Sequence, residues 1–186
     1  MHEWKGGPEL LVSYCDGSDA LREIKLLEPV FNNPEKTGTA KNEDGSAKKQ
    51  NRGIFINDVY MPLYANCSPT SQTIQEFIEE SAKKQYTPLS AFQSLYSLKG
   101  WDILFSGYKN GDFYKAHRDD SKMTVLLWLG EKDFKGGDLY FPDFDYAIEY
   151  EPNKLIMFPS HYQHEVTPIS TDQEGFVRYC ASAFIN

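Results

Sequence analysis

Apolar positions along the chain change their spacing near residue 98. Before that point they recur at helical intervals; beyond it they come in short runs or strict alternation. Glu9 to Tyr14 reads as a short strand. Ser18-Asp19 is placed to cap a helix whose apolar face is Leu21, Ile24 and Leu27, with Pro29 and Asn32-Asn33-Pro34 ending it. Residues 35–52 are polar, charged and glycine-containing, the composition of a mobile loop. Ile54 to Met61 is extended in character, with Asn57-Asp58 as an interruption. A second helix carries Ile74, Phe77, Ile78 and Ala82 on one face, with Thr73 and Glu76 at capping-box spacing. Thr87-Pro88 marks the start of a third, short helix through Leu89, Phe92 and Tyr96.

From Trp101 onward about eight apolar or alternating segments are separated by Gly, Asp, Asn or Pro turns, the pattern of a sandwich or barrel. The expected fold class is therefore mostly β with flanking helices. A chain of 186 residues fits one domain, 1–186, with a helical portion at 1–98 and a strand-rich core at 99–186. Hydrophobic residues make up 40% and aromatics 15%, enough to bury a core.

Charge narrows the class of partner. A net charge of −8 argues against nucleic acid, whose phosphates need clustered Lys and Arg. The charge is uneven. Residues 36–52 carry Lys36, Lys41, Lys48, Lys49 and Arg52 against Glu43 and Asp44, whereas residues 131–151 hold seven acids against Lys132 and Lys135. These are either two solvated loops or, for the second, an acidic rim favouring a basic substrate. No apolar run approaches the roughly 20 residues of a membrane span. The first residues lack the hydrophobic centre of a signal peptide, so a cytoplasmic, membrane-free protein is expected. Cys15, Cys67 and Cys180 show no CxxC spacing, against a disulfide framework or zinc site.

The chemistry concentrates in His117-Arg118-Asp119, His164 and Arg178. Two imidazoles and a carboxylate on one face of a metal leave the other face open to substrate and oxygen, as in non-heme Fe(II) sites. His117 and Asp119, two apart, can point to one side of a strand end, and His164 must arrive from a distant strand. His161 is a rival for the third position. Arg178 lies among Val177, Tyr179, Ala181 and Ala183 in the last apolar strand. Burying its guanidinium needs either a structural salt bridge or a bound dicarboxylate that its planar fork can hold bidentately.

Around these residues stand Tyr108-Lys-Asn-Gly111-Asp-Phe-Tyr114, the run Met123 to Leu129, Gly136-Gly137-Asp-Leu139-Tyr-Phe141-Pro142 and Pro152-Asn-Lys-Leu-Ile-Met-Phe158-Pro159. His164-Glu-Val166-Thr-Pro168 and Gly175-Phe-Val-Arg178-Tyr-Cys-Ala-Ser182-Ala-Phe184 complete the array. In this order the motifs resemble the prolyl-4-hydroxylase-like branch of the Fe(II)/2-oxoglutarate dioxygenases, over roughly residues 95–186. The resemblance implies a double-stranded β-helix (jelly-roll, cupin-like) with the helices packed on one sheet. It implies Fe(II) on His117, Asp119 and His164, the far carboxylate of 2-oxoglutarate on Arg178, O2 as oxidant and ascorbate as reductant.

By the same resemblance Tyr108 hydrogen-bonds the co-substrate, and Trp128 stands where some members have a second such Tyr. Ser182 stands where a Thr often lines its pocket, Phe184 takes a family aromatic position, and Arg118 and Phe184 are expected to meet the substrate; alternation gives Thr124, Leu126 and Trp128 one inward face, with Leu139 and Val166 nearby, as further lining. Alternation places Phe176, Arg178, Cys180, Ser182 and Phe184 on one face. The implied activity is hydroxylation of an unactivated C–H, foremost of a prolyl residue in a peptide or protein, coupled to decarboxylation of 2-oxoglutarate to succinate and CO2. A small-molecule or free-amino-acid substrate, or a metal-binding β-helix without 2-oxoglutarate activity, are the alternatives. The second arginine typical of nucleic-acid demethylases is absent, since Arg178 is the last Arg. Residues 35–52 and the strand after them are the expected substrate lid.

Overall fold

The structure, a computed structural model, describes residues 6–31, 45–60, 65–97 and 100–186, with the Phe31 side chain excluded. Strands β1 (Leu11–Tyr14), β3 (Arg52–Phe55), β4 (Trp101–Tyr108), β6 (Met123–Leu129), β9 (Lys154–Pro159) and β11 (Arg178–Ile185) form a six-stranded sheet in the order β1-β9-β6-β11-β4-β3. β2 (Lys49–Gln50), β5 (Phe113–His117), β7 (Leu139–Phe141), β8 (Tyr146–Ile148) and β10 (His164–Val166) form a five-stranded sheet, β2-β5-β10-β7-β8. Every strand pairing is antiparallel. From Trp101 on, successive strands cross repeatedly from one sheet to the other.

This crossing explains why β6 is buried at all seven positions instead of alternating. Met123, Val125, Leu127 and Leu129 pack under helices α1 (Ser18–Phe31) and α3 (Pro69–Ala82), through Ile24, Ile74, Phe77 and Ile78. Leu126 and Trp128 face the other way, into a second core with Leu139 and Phe141 of the five-stranded sheet and Ile156 and Phe158 of β9. A strand covered on both faces reads as a continuous apolar run. The expected helices on one sheet are present, as are eight strands after residue 100.

Local details differ from expectation where side chains compete for backbone groups. The first amide of α1 is held by Asp16, whose Oδ1 accepts from Ser18 N at 3.0 Å, so Ser18-Asp19 lies inside the helix and is not its cap. These bonds lower the Asp16 carboxyl below its ordinary value. The helix also runs through Pro29 to Phe31, because one missing N–H in the last turn is tolerated; Asn32–Pro34 lie outside the described residues. Helix α3 begins earlier than the Thr73–Glu76 pair implies. Ser68 Oγ accepts from Ser71 N at 3.1 Å with Pro69 in the first turn, and Thr73 Oγ1 donates within the helix to Pro69 O at 3.0 Å. Glu23 is buried beneath this cap and accepts from Tyr60 Oη, Ser68 Oγ and Thr70 N at 2.7, 2.8 and 3.0 Å.

The third helix is a 3-10 segment, Ala91–Ser97, started by Glu9, which accepts from Ser90 Oγ and from Ala91 N at 3.0 Å. Leu89 points into solvent while Phe92 and Leu95 are buried. Ile54 to Met61 is strand only to Phe55; Ile56–Val59 form one helical turn, α2, and Met61 is outside the described residues. The described end of the expected 35–52 loop is ordered into β2 and the start of β3, paired to β5 and β4. Residues 35–44 lie outside the described part. No helix of the described residues is long and apolar enough to cross a membrane.

Candidate metal centre and acid pocket

β5 delivers His117 at its C-terminal end, Asp119 follows in the turn, and β10 begins with His164 directly opposite His117 in register. The ligand atoms of the three side chains lie within 4.8 Å of one another. His117 Nε2 stands 3.5 Å from Asp119 Oδ1, and His164 Nε2 stands 3.4 Å from Oδ2. Each ring's other nitrogen faces a main-chain carbonyl: His117 Nδ1 to Lys115 O at 2.9 Å and His164 Nδ1 to Tyr162 O at 3.0 Å. A carbonyl can only accept, so both rings carry their proton on Nδ1 when neutral and turn a lone pair at Nε2 toward Asp119.

Three converging acceptors repel unless a cation or proton sits among them. This donor set of two imidazoles and one carboxylate suits a divalent first-row metal, including Fe(II). Burial would raise the Asp119 carboxyl. Donation from the imidazoles when they carry a proton at Nε2, and from the Thr124 hydroxyl at 2.6 Å, outweighs it and holds the group well below the usual carboxylate range. His161, the rival ligand, is exposed, packs edge-on against Tyr162 and takes no part in the cluster.

The triad opens into a cavity between the two sheets. Tyr108, Thr124, Leu126, Trp128, Leu139 and Val166 line it, as do Arg178, Ser182 and Phe184. Arg178 is 1% exposed, at the start of β11 and opposite Tyr108 of β4. Its guanidinium carbon lies 5.0, 5.5 and 4.9 Å from the ring centres of Tyr108, Trp128 and Tyr150. The ring faces attract the charge but satisfy none of its N–H groups. Nε and Nη1 have no hydrogen-bond partner, nor has the indole Nε1 of Trp128. Among the described residues no carboxylate pairs with Arg178, which removes the structural salt bridge. Two buried guanidinium donors and an indole donor around one space fit an acidic ligand with several acceptor oxygens.

Arg118 does not line the cavity. It is half-exposed and donates from Nε to His161 O at 2.8 Å and from Nη2 to Asp143 Oδ2 at 2.9 Å, tying the loop before His164 to the turn after β7. Phe176 packs on Phe134, with ring centres 5.1 Å apart. Within the acidic run, Asp143, Glu149 and Glu151 are paired with Arg118, Lys132 and Lys154.

Residues without an earlier assignment also line the cavity: Asn51, Leu104, Ser106 and Tyr114, together with Cys180. Alternation back from Tyr108 along β4 points to Ser106 and Leu104. Tyr114 escapes that rule. Between the pairs His164↔His117 and Val166↔Tyr114 the register shifts, and the irregularity brings Tyr114 to the face of His117, stacked at 3.6 Å between ring centres. Asn51 lies in the polar stretch that reads as loop, where no local signal marks it. It lines the cavity together with Tyr108, and its own Oδ1 is buried without a partner.

Residues 103–186 match the profile of a family described as the 2OG-Fe(II) oxygenase superfamily. The chain is also similar to a PKHD-type hydroxylase of Idiomarina loihiensis, 31% identical over 78 residues, which is 37% of this chain and 36% of the relative. It therefore spans well under half the length of that relative. Among solved structures, a prolyl hydroxylase of Trichoplax adhaerens, in complex with a hypoxia inducible factor peptide fragment, aligns with a TM-score of 0.65 at 16% identity, covering 95% of this chain and 82% of that one. A prolyl-4-hydroxylase of Pseudomonas putida aligns at 0.62, also at 16% identity, covering 96% and 92%. Both alignments place the two sheets in the double-stranded β-helix fold.

Proposed function

We propose, from the match of residues 103–186 to the 2OG-Fe(II) oxygenase superfamily, that the chain is a 2-oxoglutarate-dependent dioxygenase hydroxylating a prolyl residue in a peptide or protein. The observation that carries the reading is the pairing, in one cavity, of three converging metal-binding acceptors with an unpaired, buried guanidinium. Each half asks for a different part of one chelate. Bound Fe(II), 2-oxoglutarate and O2 would supply the oxidation, with decarboxylation to succinate and CO2 and ascorbate keeping the metal ferrous.

The chain's own residues orient and protect. His117, Asp119 and His164 would hold the metal on one face. Arg178 would take the far carboxylate in a charge-assisted, bidentate contact, with Tyr108, Ser182 and Trp128 as further donors. Leu126, Leu139, Val166 and Thr124 wall the space and exclude water. Asn51 would donate to the Tyr108 oxygen and leave the phenol's proton free to point at a carboxylate. Phe184 and its neighbour Phe55, 6.4 Å apart between ring centres, offer apolar surface to the C–H substrate. A peptide partner is supported by the Trichoplax structure, which was solved with a peptide fragment. Unpaired thiols and ferrous iron both suit a reducing, cytoplasmic setting.

The test is a succinate assay with Fe(II), ascorbate and 2-oxoglutarate, run with and without proline-containing peptides. Peptide-dependent succinate together with a 16-Da gain on the peptide (about one oxygen atom, the unit of hydroxylation) is the expected result. No succinate under any condition, and no binding of 2-oxoglutarate, would remove the proposal.

A further inference from the structure

Behind Asp119 three hydroxyls stand in a row, running from Thr124 in the cavity wall to Ser160 and Ser121 outside it. Thr124 Oγ1 lies 2.6 Å from Asp119 Oδ2 and 2.8 Å from Ser160 Oγ, which is 2.7 Å from Ser121 Oγ. Thr124 and Ser160 are fully buried, and Ser160 does not line the cavity. The ionised carboxylate can only accept, and this sets the direction of the chain. Thr124 gives its single proton to Asp119, so it must accept from Ser160; Ser160 then accepts from Ser121, whose 2.7 Å contact with Ser160 is shorter than its 3.3 Å contact with Met123 O. Each hydroxyl that donates and accepts at once polarises the next, which strengthens the last bond to the carboxylate.

Main-chain bonds already hold the loop that carries Asp119. Asp119 N donates to Ser160 O at 3.1 Å, and Ser160 N donates to Lys122 O at 3.1 Å. The hydroxyl chain is not needed to set the path of the loop. It ends on one carboxylate oxygen, and among the described residues Oδ1 receives no hydroxyl or backbone donor, only the contact with His117.

We propose that Ser160, acting through Thr124, is a positioning residue for Asp119, committing Oδ2 to a hydroxyl proton and leaving Oδ1 as the oxygen presented to a metal ion. The inference rests on the metal-centre reading above. Removing the Ser160 hydroxyl leaves Thr124 free to turn its proton elsewhere and the carboxylate free to rotate. Partners behind a metal ligand commonly account for 10–100-fold in metal affinity.

The experiment is a titration of the purified full chain with Co(II) alone, following the visible ligand-field bands, beside the melting temperature of the metal-free protein. Ser160→Ala should raise the Co(II) dissociation constant about tenfold and change the band pattern. Ser160→Thr is avoided because the site is closed on all sides. Thr124→Val should weaken Co(II) at least as much, while Thr124→Ser, which keeps the hydroxyl, should restore most of the affinity; this pair also serves if Ser160→Ala does not fold. An unchanged dissociation constant and spectrum in Ser160→Ala or Thr124→Val, whatever the melting temperature does, overturns the positioning role alone. A parent chain that binds no Co(II) overturns the metal reading and this inference together.

Discussion

Replacing Arg178 by Met gives a sharp test because the two explanations of that arginine predict opposite signs. Arg178 is 1% exposed, surrounded by three aromatic rings, and leaves Nε and Nη1 unpartnered. Each buried donor left unmade costs about 1–3 kcal/mol. Methionine fills a similar volume without those donors, so the metal-free, ligand-free variant should be as stable as the parent or more so, by up to about 3 kcal/mol, the range seen when buried charges give way to apolar residues. A structural ion pair would instead lose about 3–5 kcal/mol on losing one partner.

The ligand should respond the other way. Ligand stabilisation follows RT ln(1 + [L]/Kd), which is about 2.7 kcal/mol at 100 times Kd. Loss of a buried bidentate contact worth about 3 kcal/mol weakens binding roughly 100-fold. At the same 2-oxoglutarate concentration the variant then retains RT ln 2, about 0.4 kcal/mol. The assay is urea unfolding of the Mn(II)-loaded protein with and without 2-oxoglutarate, beside the same curve without either. A variant clearly less stable than the parent when empty, yet equally stabilised by 2-oxoglutarate, would refute the assignment of Arg178.

Three further outcomes follow from the fold. Ser68→Ala should cost about 1 kcal/mol or more in urea unfolding through the lost cap of α3 and a weakened Glu23 site, whereas Thr73→Ala should change stability by less than about 0.5 kcal/mol. The reverse ranking would restore the capping box at Thr73–Glu76. Gly136→Ala places a Cβ 2.1 Å from Pro168 O at φ +71°, so it should lose about 2–3 kcal/mol and shift the turn that covers Arg178; a melting temperature equal to the parent's would contradict that geometry. Asp16, lowered by its bond to the start of α1, contributes stability that is present above its ordinary value near 3.8 and lost as pH falls through its lower folded value. Asp16→Asn should flatten the acid limb of the stability curve, and an unchanged limb would show that the cap carries no such linkage.

How much of this was legible beforehand depends on the range of the interaction. Strands after Trp101 could be read because their turns are local and their apolar runs are short. Helices α1 and α3 could be read from spacing, but their caps could not. Asp16 and Ser68 hold these helix starts in place of Ser18-Asp19 and Thr73, because which hydroxyl or carboxylate captures a free amide is settled by backbone angles a few residues away. Thr124, Leu126 and Trp128 followed from alternation along one strand, as did Ser182 and Phe184. Tyr114 did not, because a register shift broke the alternation. The partners of Arg118 could not be read either: it sits between two ligands in sequence, yet its side chain reaches out to Asp143 and the His161 carbonyl.

What the amino-acid sequence determined by itself is the kind of chemistry. Imidazole and carboxylate suit a divalent metal, a guanidinium in an apolar setting needs a protein carboxylate or a bound acid, and periodicity limits the fold to paired sheets with helices outside. Tertiary structure decided which atoms meet. It set His164 opposite His117 across a strand pair and left Arg178 without a protein carboxylate. It also drew Asn51 out of a polar stretch to cover Tyr108, and lined three hydroxyls behind Asp119. Those contacts join residues dozens of positions apart, and they form only when burying two apolar cores brings the sheets together. Local pattern therefore names the groups, while long-range packing aims them.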